Sequence, residues 1–183
     1  MTAPVTERLA TFRWAGPFAF SSILEGKAPK KAIDDERDVR SLWNEATAYG
    51  LYQVYGTHPI YGSDVLLYVG KAEQQPFARR LRQEGWFLNR DAERVSIYVG
   101  RLVGQTPGDN EWSNIIEDAE RLLIFSVAPA GNSSAVNSTR TFEPHLRVFH
   151  TGNYRDIPAE VSSLRWHHAE LASTVAAAAW KGP

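Results

Sequence analysis

Residues 50–70 read as a β-hairpin, and this pattern constrains the fold more than any other in the chain. GLYQVYG at 50–56 is rich in strand formers. THPIYGSD at 57–64 supplies the Pro, Gly, Ser and Asp of an enlarged turn, and VLLYVG at 65–70 is a second apolar strand. FARRLRQEGW at 77–86 places Phe77, Leu81 and Glu84 on helical spacing and stops at Gly85. RVSIYVGRLVG at 94–104 alternates Val95, Ile97 and Val99, the period of a third strand. QTPGDNEW is a loop, with Asp109 or Asn114 as the cap of the next helix. From Trp112 to Val127 the apolar residues Ile115, Ile116, Ala119, Leu122 and Leu123 keep helical spacing, and Pro129 and Gly131 end the run. The spacing therefore predicts strands near 50–56, 65–70 and 95–102, and helices near 75–84 and 112–127.

The flanks carry weaker patterns. FRWAGPFAF is aromatic with a Gly-Pro turn signal. The charged stretch from Lys27 to Arg40 reads as loop running into helix. Asn132-Ser133-Ser134 opens an irregular segment, 150–158 reads as a loop, and a last helix is expected near 160–180, ending in TVAAAAW. The expectation is a single domain over 1–183, with a core at 50–132 and flanking extensions at 1–49 and 133–183. Its class is α+β: a small three-stranded antiparallel sheet flanked by helices.

Composition narrows the function classes. A chain of 183 residues can bury a proper core, and 43 % hydrophobic with 22 % charged residues suits a soluble globular protein. The absence of cysteine excludes disulfides and thiolate metal sites. No apolar run reaches the roughly 18 residues of a membrane helix. MTAPVTERLATFRW lacks the basic start and apolar stretch of a signal peptide, so the reading is cytoplasmic with no membrane partner. The net charge of −1 is not that of a strongly basic nucleic-acid binder. Locally, however, residues 71–101 hold seven basic against four acidic side chains. Residues 102–138 hold five acidic against one. A phosphate-facing surface beside a metal-binding one has this pattern, as do ordinary solvated helix faces.

The stretch from Gly50 to Asn132 resembles the GIY-YIG nuclease superfamily. Gly50-Leu51-Tyr52 is similar to the GIY element, and Tyr68-Val69-Gly70 with Lys71 to the YIG element and its basic follower. Arg80 stands where the family has its helix arginine, with Arg79 a rival because the segment from Ala72 is about two residues longer. Glu120 matches the metal carboxylate, and Pro129 and Asn132 follow it by nine and twelve residues, close to the family's spacing. Glu84 departs from the pattern, because the family often has His or Tyr four residues after the arginine.

The resemblance implies a metal-dependent endonuclease acting on DNA. Tyr52, Tyr68, Arg80 and Glu120 would be catalytic, and Glu120 would hold Mg²⁺, with Mn²⁺ a possible substitute. Lys71, Arg79 and Arg82 would contact DNA; Gly50, Gly70 and Asn132 would support the site. The chemistry fits these residue types. One carboxylate can hold a hard divalent cation that keeps its waters. An arginine can grip two phosphate oxygens. A tyrosine can take a proton from water if metal and arginine favour the phenolate, since a free phenol has a pKa near 10. Asn132 would brace the active-site loop with its amide.

Taken singly, the same residues have plainer roles. Strand tyrosines pack, helix arginines and glutamates are solvated, and Pro-Ala-Gly-Asn ends a helix. His58, His145 and His150 show no metal-ligand spacing, and His167 and His168 are adjacent, so they face apart on a helix. There is no phosphate loop or dinucleotide fingerprint. Two other functions stay open: an inactive nucleic-acid-binding module on the same fold, and a protein-interaction domain. Oligomeric state is not legible.

Overall fold

Residues 7–84, 94–104, 110–137, 142 and 144–165 are described by a computed structural model. Six strands form one curled, mixed sheet. They are β1 (Glu7–Ala19), β2 (Gly50–His58), β3 (Gly62–Ala72), β4 (Ser96–Leu102), β5 (His145–Gly152) and β6 (Glu160–Ser162), and they lie in the order β3-β2-β4-β1-β5-β6. Neighbours are antiparallel except β1 and β5, which run parallel from Glu7 opposite His145 to Trp14 opposite Gly152.

The expected small three-stranded sheet is therefore wrong. The meander β3-β2-β4 is half of a larger sheet, and the segments read as flanking extensions supply β1, β5 and β6. The physical reason lies in β4. Its central residues Ile97, Tyr98 and Val99 are buried, so a free β4 edge would leave its backbone donors and acceptors without partners. β1 fills that edge, from Phe12 opposite Leu102 to Ala19 opposite Ser96. The Gly-Pro pair that reads as a turn sits inside β1, where the register shifts between Ala15 and Phe18. A bulge is where a strand tolerates a proline that cannot donate.

Both faces of the sheet are covered. Leu51 and Tyr55 of β2 point to one face, with Phe12, Val69, Leu146 and Val148. There the helix α3 (Asn110–Val127) packs through Trp112, Ile115, Ile116, Ala119, Leu122 and Leu123. Tyr52 and Val54 point to the other face, beneath α1 (Phe20–Glu25), a 3-10 turn (Val39–Trp43) and α2 (Phe77–Gln83). Double coverage explains why residues 50–56 are all buried and read as a nearly continuous apolar run. Each large apolar side chain removed from water in this way contributes roughly 1.5–3 kcal/mol.

Smaller differences from the sequence reading have local causes. β2 runs on to His58 and β3 restarts at Gly62, so the turn is only three residues long. The His58 ring accepts from the backbone N–H of Ile60 and Tyr61 and stacks on Tyr61, which holds that turn closed. Asn114 lies inside α3, and Asp109 falls outside the described residues. Residues 160–162 form strand β6 rather than the start of a helix, because they pair with Arg147 to Phe149 of β5. Residues 163–165 are helical, and the rest of the expected last helix, including His167, His168 and the Ala-rich end, lies outside the described residues. No helix among the described residues is long and apolar enough to cross a membrane.

β3 is an edge strand, and the chain after α3 runs alongside it. Ala130 N–H donates to Leu66 O at 3.3 Å and Gly131 N–H to Leu67 O at 2.6 Å. Asn132 completes the cover: its Nδ2 donates to Val69 O at 2.9 Å and its Oδ1 accepts from Val69 N at 3.0 Å. An amide side chain thus takes the place of a neighbouring strand and blunts an edge open to other chains.

A candidate active site around the edge strand

Tyr52 and Tyr68 are brought together by the register of the hairpin. Tyr68 pairs with Val54, so it sits diagonally from Tyr52 on the α2 face, with ring centroids 6.1 Å apart and planes inclined by 30°. Gly70 is directly opposite Tyr52. A Cβ at Gly70 would lie 2.5 Å from the Tyr52 oxygen and 2.7 Å from a Tyr68 ring carbon. A glycine is therefore what lets both phenols share this face. Gly50 stands apart from the rings and does a different job. Its φ is +138°, and a Cβ there would come within 2.1 Å of Gly100 O, so only glycine lets β2 begin this close to β4.

α2 adds Arg80 and Glu84. The Tyr52 hydroxyl donates to Glu84 Oε1 at 3.2 Å, and Arg80 Nη2 pairs with the same oxygen. Arg79 is exposed and reaches Glu45 at 2.9 Å. Arg82 is exposed too, with its guanidinium 5.4 Å from the Trp43 ring and Nη1 3.5 Å from Gly26 O. Between the two rival arginines, Arg80 joins the tyrosines and Arg79 does not. Among the described residues, the contacts of Arg79 and Arg82 lie outside the cluster.

The other half of the cluster lies on the α3 side of β3. Lys71 Nζ is 2.8 Å from Glu73 Oε1 and 3.7 Å from Glu117 Oε2. Ser113 Oγ donates to Glu73 Oε2 at 2.9 Å. Glu117 also meets Arg121 at 3.3 Å, one turn along α3. Glu120 lies among these groups and forms no ion pair among the described residues. Asp118 turns away and pairs with Arg8 of β1. Because β3 is at the edge, the lysine and carboxylates on one face act on the tyrosines and Arg80 on the other.

Electrostatics tie the halves together. Burial pushes the Glu120 carboxyl up to about 7, and Glu73 adds to this, while Lys71, Arg121 and Arg80 hold it down. Tyr68 is raised by burial and by the Glu84 and Glu120 carboxylates, against Arg80. Tyr52 is raised well above its ordinary range by burial, Glu84 and Tyr68, and Arg80 only partly opposes this. Arg80 keeps its charge: burial works against it, but Tyr52 and Glu84 outweigh that. Both phenols are therefore protonated at neutral pH. The arginine alone does not produce the phenolate that the sequence reading wanted.

Two members of the cluster were not picked out from sequence. Glu84 reads as a departure from the family pattern, yet it is the group that binds Tyr52 and Arg80 together. Glu73 looks like an ordinary surface glutamate. Its only signal is that it lies two residues beyond Lys71, just past the end of β3. Among the described residues no set of three or more His, Cys, Asp or Glu side chains has metal-site geometry. Glu120 is nevertheless an oxygen donor of the kind a hard divalent cation takes, and it forms no ion pair among the described residues. Compared with family models, curated proteins and solved structures, the chain matches none.

Proposed function

We propose that this chain is a metal-dependent endonuclease that hydrolyses phosphodiester bonds in DNA, working at the cluster of Tyr52, Tyr68, Arg80, Glu84 and Glu120. The observation that carries the reading is a pair of stacked tyrosines and an arginine beside a partly buried carboxyl with no ion pair among the described residues. Belonging to the GIY-YIG superfamily is part of the same proposal and rests on the motifs from Gly50 to Asn132.

In this reading Arg80 leaves Glu84 for the phosphate oxygens, where its fork makes two charge-assisted bonds. Glu84 Oε1 is then free to take the proton that Tyr52 already points at it. Tyr52 Oη in turn accepts a proton from the attacking water, and the hydroxide formed attacks phosphorus. Tyr68, stacked on Tyr52, holds the ring and the water in line. Glu120 would hold Mg²⁺ or Mn²⁺, and the cation when bound would neutralise phosphate charge and stabilise the leaving oxygen. Lys71 adds a positive charge beside the same groups.

One observation favours a second reading, an inactive nucleic-acid-binding module. Glu84 already neutralises Arg80 and accepts from Tyr52, which are the two groups catalysis would need free. The test is cleavage of plasmid and single-stranded DNA with Mg²⁺, with Mn²⁺ and with chelator, on the wild type and on Glu120→Gln. Metal-dependent cleavage lost in Glu120→Gln supports the nuclease. Binding without cleavage under every metal supports the module.

A further inference from the structure

Arg101 lies near the end of β4, and only 5 % of it is exposed. Its Nη2 donates to Ser41 Oγ at 3.1 Å, while Nε and Nη1 are buried with no acceptor among the described residues. The guanidinium lies 5.8 Å from the centre of the Phe77 ring, which stabilises a cation without satisfying its N–H groups. Arg13 is its direct partner across the β1–β4 pair. Arg13 spends itself on Glu36, with Nε at 2.9 Å and Nη2 at 2.6 Å from the two carboxylate oxygens.

These three side chains line a cavity of about 300 Å³, away from the tyrosines. Two guanidinium groups there face one carboxylate, which leaves one positive charge in excess. Among the described residues Glu36 is the only acid lining it, and both of its oxygens are taken by Arg13. Tyr49 and Trp112, edge to face with ring centroids 5.6 Å apart, line the same cavity. Buried guanidinium groups ordinarily have an acceptor for each donor, because leaving one bare is costly. Burial also pulls the Arg101 pKa down, with Arg13 adding to this and Glu36 opposing it, so its charge is poorly compensated.

We propose that this cavity is a nucleotide-phosphate site, with the phosphate on Arg101 and the base against Tyr49 and Trp112. A guanidinium presents two N–H groups side by side along its Nη1–Nη2 end, and a phosphate there would give the bare Nη1 an acceptor and a counter-charge. Aromatic walls accept any base face. The site stands on the guanidinium and the cavity, so it holds whether or not the tyrosine cluster cleaves DNA.

The test uses the full chain with chelator present, so that no cleavage intrudes. Inorganic phosphate, a deoxynucleoside monophosphate and a short single-stranded oligonucleotide are titrated separately at constant ionic strength. Thermal melting and the ¹⁵N spectrum of arginine Nε–H groups are followed. In the wild type, phosphate raises the melting temperature and shifts the Arg101 Nε–H signal, both saturably. The mononucleotide binds at least roughly tenfold more tightly than phosphate, because stacking adds to it. Arg101→Met loses both responses while melting no lower than the unliganded wild type, since an unpaired buried charge is gone. Arg101→Lys responds about tenfold more weakly, having lost the fork. Tighter binding of the oligonucleotide than of the mononucleotide identifies a strand as the source; the reverse identifies free nucleotide. No movement of the wild-type Nε–H signal, or an undiminished response in Arg101→Met, overturns the site. Equal affinity for phosphate and mononucleotide overturns the base-stacking half of it. Should Arg101→Met not fold, the wild-type signal decides alone.

Discussion

Gly70 and Tyr52 face each other across the β2–β3 pair, and a methyl group on Gly70 would lie 2.5 Å from the Tyr52 oxygen. Tyr52 is fully buried, so the ring has no free space to move into. Gly70→Ala should therefore spread the hairpin or push Tyr52 out, costing roughly 1–3 kcal/mol as overpacking does. Urea denaturation reads the cost. Loss of the near-ultraviolet tyrosine signal with retained far-ultraviolet signal would locate it at the rings. A Gly70→Ala variant as stable as the wild type would show that the tyrosines are not held as described.

Glu84→Gln keeps the shape of the side chain but removes both its charge and its capacity to take a proton. If Glu84 receives the Tyr52 proton, cleavage should fall by roughly 10²-fold or more, the usual scale of a lost proton acceptor. DNA affinity should rise in the same variant, because Arg80 is no longer neutralised. Cleavage that increases instead would identify Glu84 as an inhibitor of the site.

Glu120 carries a stability signature that does not depend on activity. Its carboxyl is raised from 4.5 to about 7 in the folded chain. Such a group favours folding fully below pH 4.5 and loses that contribution as pH rises through 7. Glu120→Gln should match the wild type near pH 4 and exceed it by roughly 1–3 kcal/mol at pH 8. Melting curves at both pH values check this. Mg²⁺ should raise the melting temperature of the wild type at pH 8 and leave that of Glu120→Gln unchanged.

His150 gives the opposite pH trend. Trp14 Nε1–H donates to His150 Nδ1 at 2.9 Å, so the ring must carry its proton on Nε2, which meets no acceptor among the described residues. Burial lowers its pKa from 6.5 to about 4. The unfolded chain therefore takes up a proton first, and stability falls as pH drops from 6.5 to 4, by up to about 3 kcal/mol. His150→Leu should remove most of that acid sensitivity. At pH 7 it should be less stable by about 1–3 kcal/mol, because the Trp14 N–H loses its acceptor. Urea midpoints across pH 4–7 for both proteins distinguish the two effects.

Local patterns made part of this molecule legible and long-range pairing hid the rest. Strong alternation at Val95, Ile97 and Val99 and the helical spacing from Trp112 to Leu123 are properties of single elements, and they appear where the spacing puts them. β1 is different. Its Gly16-Pro17 pair looks like punctuation until β4 is seen to absorb it in a bulge. β5 carried a readable signal, because Leu146, Val148 and His150 alternate inward, but its partner lies more than a hundred residues away. β6 is three residues long and leaves no pattern. In the candidate site, the tyrosines and Arg80 could be found from motif spacing. Glu73 and Glu84 could not, nor could Arg101 in its separate cavity, because what matters about each is which neighbour it meets or lacks.

The parallel pairing of β1 with β5 bears on how the protein can be made and cut. A chain emerging from its N-terminal end gives β1 one neighbour when β4 is complete, and the other only after residues 145–152 have followed. Until then a long strand rich in aromatic residues has an open edge, the kind of surface on which unfinished chains associate. A fragment ending near residue 132 would keep every motif residue yet leave β1 in that state permanently, and a fragment starting at residue 50 would expose β4 in the same way. Preparations of the isolated 50–132 segment should aggregate, and the smallest unit that stays in solution with its tyrosines stacked should extend from β1 through β6.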